Sequence, residues 1–523
     1  MHTPNAFTAM TTAADLILID GAVHTLSPDS DSTDGEADAE AVAIRDGRIV
    51  RVDSTYEVEF LEGVETTVID LDGRTVLPGF IDAHTHLDHL GQQLEEVDLS
   101  ETTALAEAIQ RMIDQKTDGS EWILGFGYDE SQWTDSDEYL TRDDLDEVSE
   151  SRPVAAYRED MHLASVNSVG LEMLGEDLPD EQVETYDGVP TGVLVEEAVG
   201  VLGDAVRPGQ DRLREYVLAA QDYAHERGVT GVHEMVRPDT ARIYRELDAA
   251  GELTLRVRLN YWADHLDAVL EAGLTTNHGS DRVRMGAIKT FTDGSIGGRT
   301  AKLTEPYCDT DDGSRGEWVT PPDELDVLVD RVDSEGLQMA THAIGDEAIQ
   351  AALDAYDDTT GTRHRIEHAE VLTDELIDRL TETAVVVSAQ PNFLKWAREE
   401  GLYAQRLGDR RRRNSNQFGT LHERGATLAF GSDCMPLDPL FGIEQTVRGP
   451  ASGQRLSVTD AVRAYTIGGA YAAFDEHRLG TIETGKLADL VVLDDTPWDT
   501  EDLGTVGVDL TIVEGQIVYV KDR

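Results

Sequence analysis

The sequence predicts an α/β fold: a (β/α)8 barrel of the TIM type with a small β-domain composed from both ends of the chain. Three observations predict it. Short apolar strands separated by Asp-Gly and Glu-Gly pairs occupy the two termini. Strand-like and helix-like stretches alternate through the long middle, the pattern of a parallel sheet with crossover helices. The length, 523 residues, suits one barrel with insertions and an appendage, because such barrels can exceed about 400 residues.

At the N-terminal end, Leu16-Ile17-Leu18-Ile19 leads into a turn at Asp20-Gly21. Val42-Ala43-Ile44 and Ile49-Val50-Arg51-Val52 flank Asp46-Gly47, a hairpin signal. Pro28 to Glu40 holds six acids and reads as a solvated loop. In the middle, strand-like runs are Val154-Ala155-Ala156-Tyr157, Gly231-Val232-His233, Met285-Gly286-Ala287-Ile288, Gln338-Met339-Ala340, Arg365-Ile366-Glu367, Val385-Val386-Val387 and Leu428-Ala429-Phe430. Helix-like stretches between them include Leu213 to Glu226, Pro322 to Ser334 and Thr373 to Thr381. At the C-terminal end, Ala488 to Leu493 is a strand, and Leu510-Thr511-Ile512-Val513 and Gln516 to Val520 flank Glu514-Gly515 as a hairpin. The division expected is 1–77 and 476–523 as the two parts of a β-sandwich and 78–475 as the barrel. Termini that meet in one domain are geometrically ordinary.

Composition bounds the partners. Acids number 104 against 43 bases, a formal charge of −61. A nucleic-acid partner needs a basic patch and an anionic membrane surface needs the same, so neither is expected. Only six of the bases are lysine, the rest arginine. An acidic, lysine-poor surface resembles proteins of salt-in halophiles, in which molar salt cuts the Debye length to about 3 Å and screens carboxylate repulsion. Two cysteines, Cys308 and Cys434, form no disulfide framework, and a reducing cytoplasm is the expected compartment. No stretch approaches the length of a membrane span, and no secretory signal is read at the start.

The sharpest chemical signal is Pro78-Gly79-Phe80-Ile81-Asp82-Ala83-His84-Thr85-His86. Residues i and i+2 of a strand face one side, so His84 and His86 can reach one metal ion. A lone His-x-His is weak, but this one ends an apolar run where a first barrel strand would end, and barrel active sites sit at those ends. His342, His368 and Asp433 end three further strands. Singly, His342 reads as a structural histidine and Asp433 as a turn residue; together they form a metal-site inventory. Lys289 ends another apolar strand. Burial disfavours its charge, and a neutral amine can take up carbon dioxide as a carbamate that bridges two metals. An ion pair with a nearby carboxylate is the alternative. Arg410 to Arg413 reads either as a solvated run paired with acids or as an anion-binding lid. His233 either faces the site or is simply buried, and Cys434 beside Asp433 reads as packing.

These motifs together resemble the amidohydrolase superfamily, and more narrowly its family 3 branch, which includes N-substituted formamide deformylases. Asp46-Gly47-Arg48-Ile49, Gly73 to His86 and Gly485 to Leu493 match the superfamily's opening and closing patterns. Phe291 to Ser295, Thr341 to Asp346, Arg365 to Ala369, Gly431-Ser432-Asp433, Gly127 to Trp133, and His162 with Val166-Asn167-Ser168 resemble the narrower branch.

The resemblance implies a distorted (β/α)8 barrel with a small β-sandwich made by both termini. It implies His84 and His86 as ligands from the first strand, Lys289 as a carbamylated bridge, His342 and His368 as ligands of a second metal, and Asp433 as the last-strand ligand. The expected cofactor is a divalent ion, zinc, one or two per chain. The expected reaction is hydrolysis of a non-peptide C–N bond in an amide, N-acyl or N-formyl compound by metal-activated hydroxide, with Asp433 as general base and then general acid. His162, Asn167, Trp133 and Tyr128 are the candidate substrate-binding residues; packing and capping are their alternative roles. A cyclic amide hydrolase of the hydantoinase or dihydroorotase kind and a catalytically silent regulatory scaffold are the competing readings. The partner expected is a small-molecule amide substrate, with a homo-oligomer by analogy.

Overall fold

The computed structural model describes residues 13–28, 35–115, 121–136, 138–159, 161, 163–195, 197–310, 313–360, 363–500 and 502–521. It divides into two compact units, Met1–His86 with Gln221–Arg523, and Leu87–Ala220.

Among the described residues of the first unit, eight parallel strands form a nearly closed barrel: β1 (Phe80–Thr85), β2 (Val229–Val236), β3 (Arg256–Trp262), β4 (Val283–Phe291), β5 (Gln338–Ala343), β6 (Arg365–His368), β7 (Val386–Ala389) and β8 (Thr427–Phe430). Each pairs in parallel with the next, from β1 to β8. The last strand meets the first through the loop that follows it. Asp433 N–H donates to His84 O at 2.8 Å, and Ser432 N–H donates to Asp82 Oδ1 at 2.9 Å. Gly431 permits this approach, since a Cβ there would lie 2.4 Å from the His84 backbone nitrogen.

The eight strands differ from the expected set at one place. Val154–Arg158 belongs to the second unit, and β3 takes its position in the barrel. The reason lies in β3's composition: Arg256 and Arg258 interrupt its apolar run, yet both are buried because ion pairs satisfy them. Arg256 is bidentate on Asp489, 2.9 Å from Oδ1, and Arg258 pairs with Asp475, which also accepts from Arg478 at 2.9 Å. The chain after the barrel is thereby tied to the N-terminal ends of its strands.

Both termini do contribute to one β-layered core. Strands Ala22–Val23, Thr75–Pro78, Leu490–Leu493, Val508–Val513 and Gln516–Val520 form one sheet; Arg48–Asp53, Ala41–Arg45, Leu16–Ile19 and Thr67–Asp70 form the other. Leu16, Leu18, Val42 and Ile44 of one sheet pack with Val76, Leu490, Val492 and Ile512 of the other. The hairpin turns have the left-handed pairs that two-residue turns require: Asp46 and Gly47 at φ 51° and 72°, Glu514 and Gly515 at 53° and 73°.

The second unit is a six-stranded sheet in the order Val183–Tyr186, Val189–Val195, Leu163–Val166, Val154–Arg158, Ile123–Tyr128 and Val97–Asp98. No helix among the described residues is long and apolar enough to cross a membrane.

His225 marks a pH-sensitive joint at the start of β2. Its Nδ1 donates to Val229 O at 3.0 Å, so Nε2 accepts from the Thr254 hydroxyl at 2.9 Å. Burial lowers its pKa from 6.5 to about 4. The unfolded chain therefore binds more protons between those values, and stability falls as pH drops from 6.5 towards 4. Replacing His225 with Gln is expected to flatten that limb by about 2 kcal/mol, read from denaturant unfolding of both proteins at pH 7 and pH 4.5.

Candidate metal centre

The C-terminal ends of the barrel strands converge on one cluster. Ligand atoms of His84, His86 and Asp433 all lie within 4.8 Å of one another. Asp433 Oδ1 is 3.6 Å from His84 Nε2 and 3.3 Å from His86 Nε2. The ring of His368 lies 5.0 Å from that of His84 and 4.4 Å from that of His342, centroid to centroid.

Three backbone devices aim these groups. Strand alternation carries His84 and His86. At the end of β6, alternation would instead place His368 with Ile366; left-handed φ values at His368 (73°) and Ala369 (50°) break the alternation and bring the ring beside His84. Asp433 and Cys434 have the same left-handed geometry, at 54° and 57°. Such backbone is costly for residues with a Cβ and gathers where a site demands it.

The third device is a β-bulge. Leu259 pairs with Met285, but Tyr261 pairs with Ile288 and Trp262 with Lys289, so β4 holds an extra residue. The buried Asn260 Oδ1 takes the Ala287 N–H at 2.8 Å, and a Cβ on Gly286 would lie 2.2 Å from that oxygen. The bulge resets the alternation of β4. Lys289, 1% exposed, then feels the charges of Glu367 and Asp433 across the barrel.

The electrostatics suit a cation. Burial holds His84 and His368 well below the ordinary imidazole range and takes His342 down to about 3. Burial alone would raise Asp433, but the facing His84, His86 and Lys289 outweigh it and hold the carboxyl below its usual value. Burial lowers Lys289 to about 8. The set thus holds three imidazoles that burial keeps neutral, His84, His342 and His368, together with His86, the Asp433 carboxylate and a lysine whose proton burial makes easier to remove. His342 donates from Nε2 to Gly294 O at 3.0 Å, which leaves Nδ1 as its lone pair. His368 Nδ1 is a buried ring nitrogen with no hydrogen-bond partner among the described residues. An orphaned ring nitrogen in a cluster that also holds a carboxylate fits a divalent ion such as zinc.

Tyr128, Trp133 and Asn167 are buried within the second unit and committed to its own structure. Trp133 stacks on Tyr128 at 5.5 Å and donates to Thr102 Oγ1. Asn167 Oδ1 accepts from Val154 and Gly170 N–H, and Nδ2 donates to Ser149 and Arg152 carbonyls, which makes it a helix cap and loop clamp. His162 lies outside the described residues. His233 sits inside the barrel, its Nδ1 accepting from Arg365 Nη1 at 2.7 Å. Arg410–Arg413 end a helix: Arg411 and Arg412 are buried donors to backbone carbonyls, while Arg410 and Arg413 pair with Glu305 and Asp409. Cys434 accepts the His86 N–H at 3.3 Å, and burial pushes its thiol far up, so it is packing.

Sequence reasoning missed several site groups. Glu367 accepts from His84 Nδ1 at 2.7 Å, and Arg365 holds Glu367. Trp262 lies nearly parallel to His86 (6.2 Å, 15°) and to Phe291 (5.3 Å, 9°), forming an aromatic shelf beside the cluster. Glu367 and Phe291 lay inside motifs named for other residues; Trp262 had no motif to announce it.

The chain matches the profile described as "Amidohydrolase family" over residues 67–519. It is 33% identical to Protein LONG AFTER FAR-RED 3 of Arabidopsis thaliana, over 97% of this chain and 92% of that protein. It is 28% identical to N-substituted formamide deformylase of Arthrobacter pascens, over 98% and 99%. The crystal structure of an uncharacterized metal-dependent hydrolase from Pyrococcus furiosus matches with a TM-score of 0.79 at 31% identity, covering 92% of this chain and 100% of that one.

Replacing Gly286 with Ala is expected to cost about 1–3 kcal/mol, the range for overpacking, because Asn260 must yield or the bulge must shift. Thermal unfolding checks the cost. A change in Lys289's reactivity towards an amine reagent, relative to the wild type, checks the displacement.

Proposed function

The chain belongs to the amidohydrolase family, and from that premise we propose that it hydrolyses a non-peptide C–N bond in a small N-acyl or N-formyl amide. The observation that carries this reading is the convergence of His84, His86 and Asp433 with His342, His368 and Lys289 at one end of the barrel. Likeness over its full length to a formamide deformylase supports the choice of bond.

His84, His86, His342, His368 and Asp433, with carbamylated Lys289, would hold one or two divalent ions. A bound ion of this kind supplies Lewis acidity towards a carbonyl oxygen and acidifies water at neutral pH. Asp433, whose carboxyl is held below its usual range, would accept a water proton at a carboxylate oxygen and return it to the departing nitrogen. Such paired transfers contribute about 10²–10⁴-fold. Trp262 and Phe291, the latter 37% exposed, offer an apolar face to the substrate's substituent.

Metal content, measured by elemental mass spectrometry on protein purified in molar KCl without chelators, tests the reading first. One or two divalent ions per chain are expected. Protein that stays folded and takes up none after reconstitution excludes it. Asp433→Asn is expected to lower kcat by about 10²–10⁴-fold on N-formyl and N-acyl amines. Cleavage of hydantoins in place of these amides would redirect the assignment to cyclic substrates.

The aromatic shelf gives a separate expectation. Phe291→Ala should raise KM about tenfold for amides with a bulky apolar substituent, about 1.4 kcal/mol of lost contact. It should leave KM for the smallest formamides near the wild-type value, which steady-state kinetics on a graded substrate series will read.

A further inference from the structure

Glu367 lies one residue before a candidate ligand, yet its own carboxylate points to a different one. It is wholly buried on β6. Oε2 is 2.7 Å from His84 Nδ1. Arg365, two residues earlier on the same inward face, donates from Nε to Oε1 at 2.8 Å and from Nη2 to Oε2 at 3.1 Å. Both oxygens are thus gripped by one guanidinium, and the carboxylate cannot turn away from the imidazole. Arg365 is itself fixed by Ala83 O at 2.6 Å, Ser388 Oγ at 2.8 Å and His233 Nδ1.

We infer that Glu367 is the positioning residue of the metal centre: oriented by Arg365, it fixes the His84 ring with its proton on Nδ1, so that the Nε2 lone pair faces Asp433 and the ion. The inference rests on the metal-binding reading of the cluster. The logic is that of one nitrogen's hydrogen bond choosing the other nitrogen's role. An ionised carboxylate accepts only, so His84 Nδ1 must be the donor. His84 Nε2 is then left without a proton at 3.6 Å from Asp433 Oδ1. Two acceptors would face each other there without a cation between them.

The test has two readouts. The first is the tautomer of His84 in the metal-free wild-type protein, from long-range proton–nitrogen correlation on a histidine-labelled sample, assigned with His84→Gln. Nδ1–H is expected; a proton on Nε2 overturns the inference. The second is zinc affinity by competition with a chromophoric chelator. Glu367→Gln is expected to weaken zinc binding about 10–100-fold and to shift the His84 ring signals while those of His342 and His368 stay in place. A general loosening of the core would move all three. Wild-type zinc affinity in folded Glu367→Gln overturns the inference. Should that variant not fold, the wild-type tautomer still decides it. Failure of the wild type itself to bind zinc would count against the metal reading, and the tautomer would report on Glu367 independently.

Discussion

One buried guanidinium organises the interior of this barrel. Arg365 is 1% exposed and directs its donors to four strands: Ala83 on β1, His233 on β2, Glu367 on its own β6 and Ser388 on β7. A permanent charge in such a place is tolerable only when its hydrogens are matched, because an unpaired buried charge costs several kcal/mol. Arg meets that demand with a planar fork of donors that lysine lacks. Matching the fork fixes the positions of β1, β2, β6 and β7 relative to one another. Two of these strands, β1 and β6, also carry His84 and His368 of the candidate metal cluster, while β4, β5 and the loop after β8 bring Lys289, His342 and Asp433.

Around this hub, the site is made by departures from regular strand geometry. Regular alternation presents His84 to the interior, but it cannot present His368 or Lys289. Left-handed backbone at His368 and Ala369 supplies the first, and the bulge held by Asn260 supplies the second. Asp433 arrives through a left-handed pair, with Gly431 allowing its loop to lie against β1. Each device spends some folding stability to converge groups that ordinary strands would scatter, and each depends on neighbouring packing to hold it.

These features divide what was legible in the sequence from what was not. Local rules were enough for the hairpins at Asp46-Gly47 and Glu514-Gly515, for the alternation that implied a barrel, and for His84 with His86. They failed where a residue's role depends on a distant partner. β3 was passed over because Arg256 and Arg258 look like surface residues until Asp489 and Asp475, more than two hundred positions away, are seen to neutralise them. Asn167 and Trp133 carried packing and capping as alternative roles, and the partners of their hydrogen bonds within the second unit could not be read from their motifs. Glu367 was passed over for the opposite reason: it closes the predicted strand Arg365-Ile366-Glu367, where a carboxylate has meaning only if Arg365 and His84 meet it.

The scarcity of lysine bears on the chemistry as well as on the surface. Five arginines, at positions 256, 258, 365, 411 and 412, are buried, and each answers to carboxylates or carbonyls that need a permanent multi-donor cation. Among the described residues only one lysine, Lys289, is buried. It makes no such bidentate pair, and burial brings its pKa to about 8. A guanidinium there would stay charged at any physiological pH and repel a metal ion. An amine that gives up its proton leaves a nucleophilic nitrogen in the same space. Among the described residues the interior thus uses arginine where the charge persists and lysine at the one buried position where it can be removed.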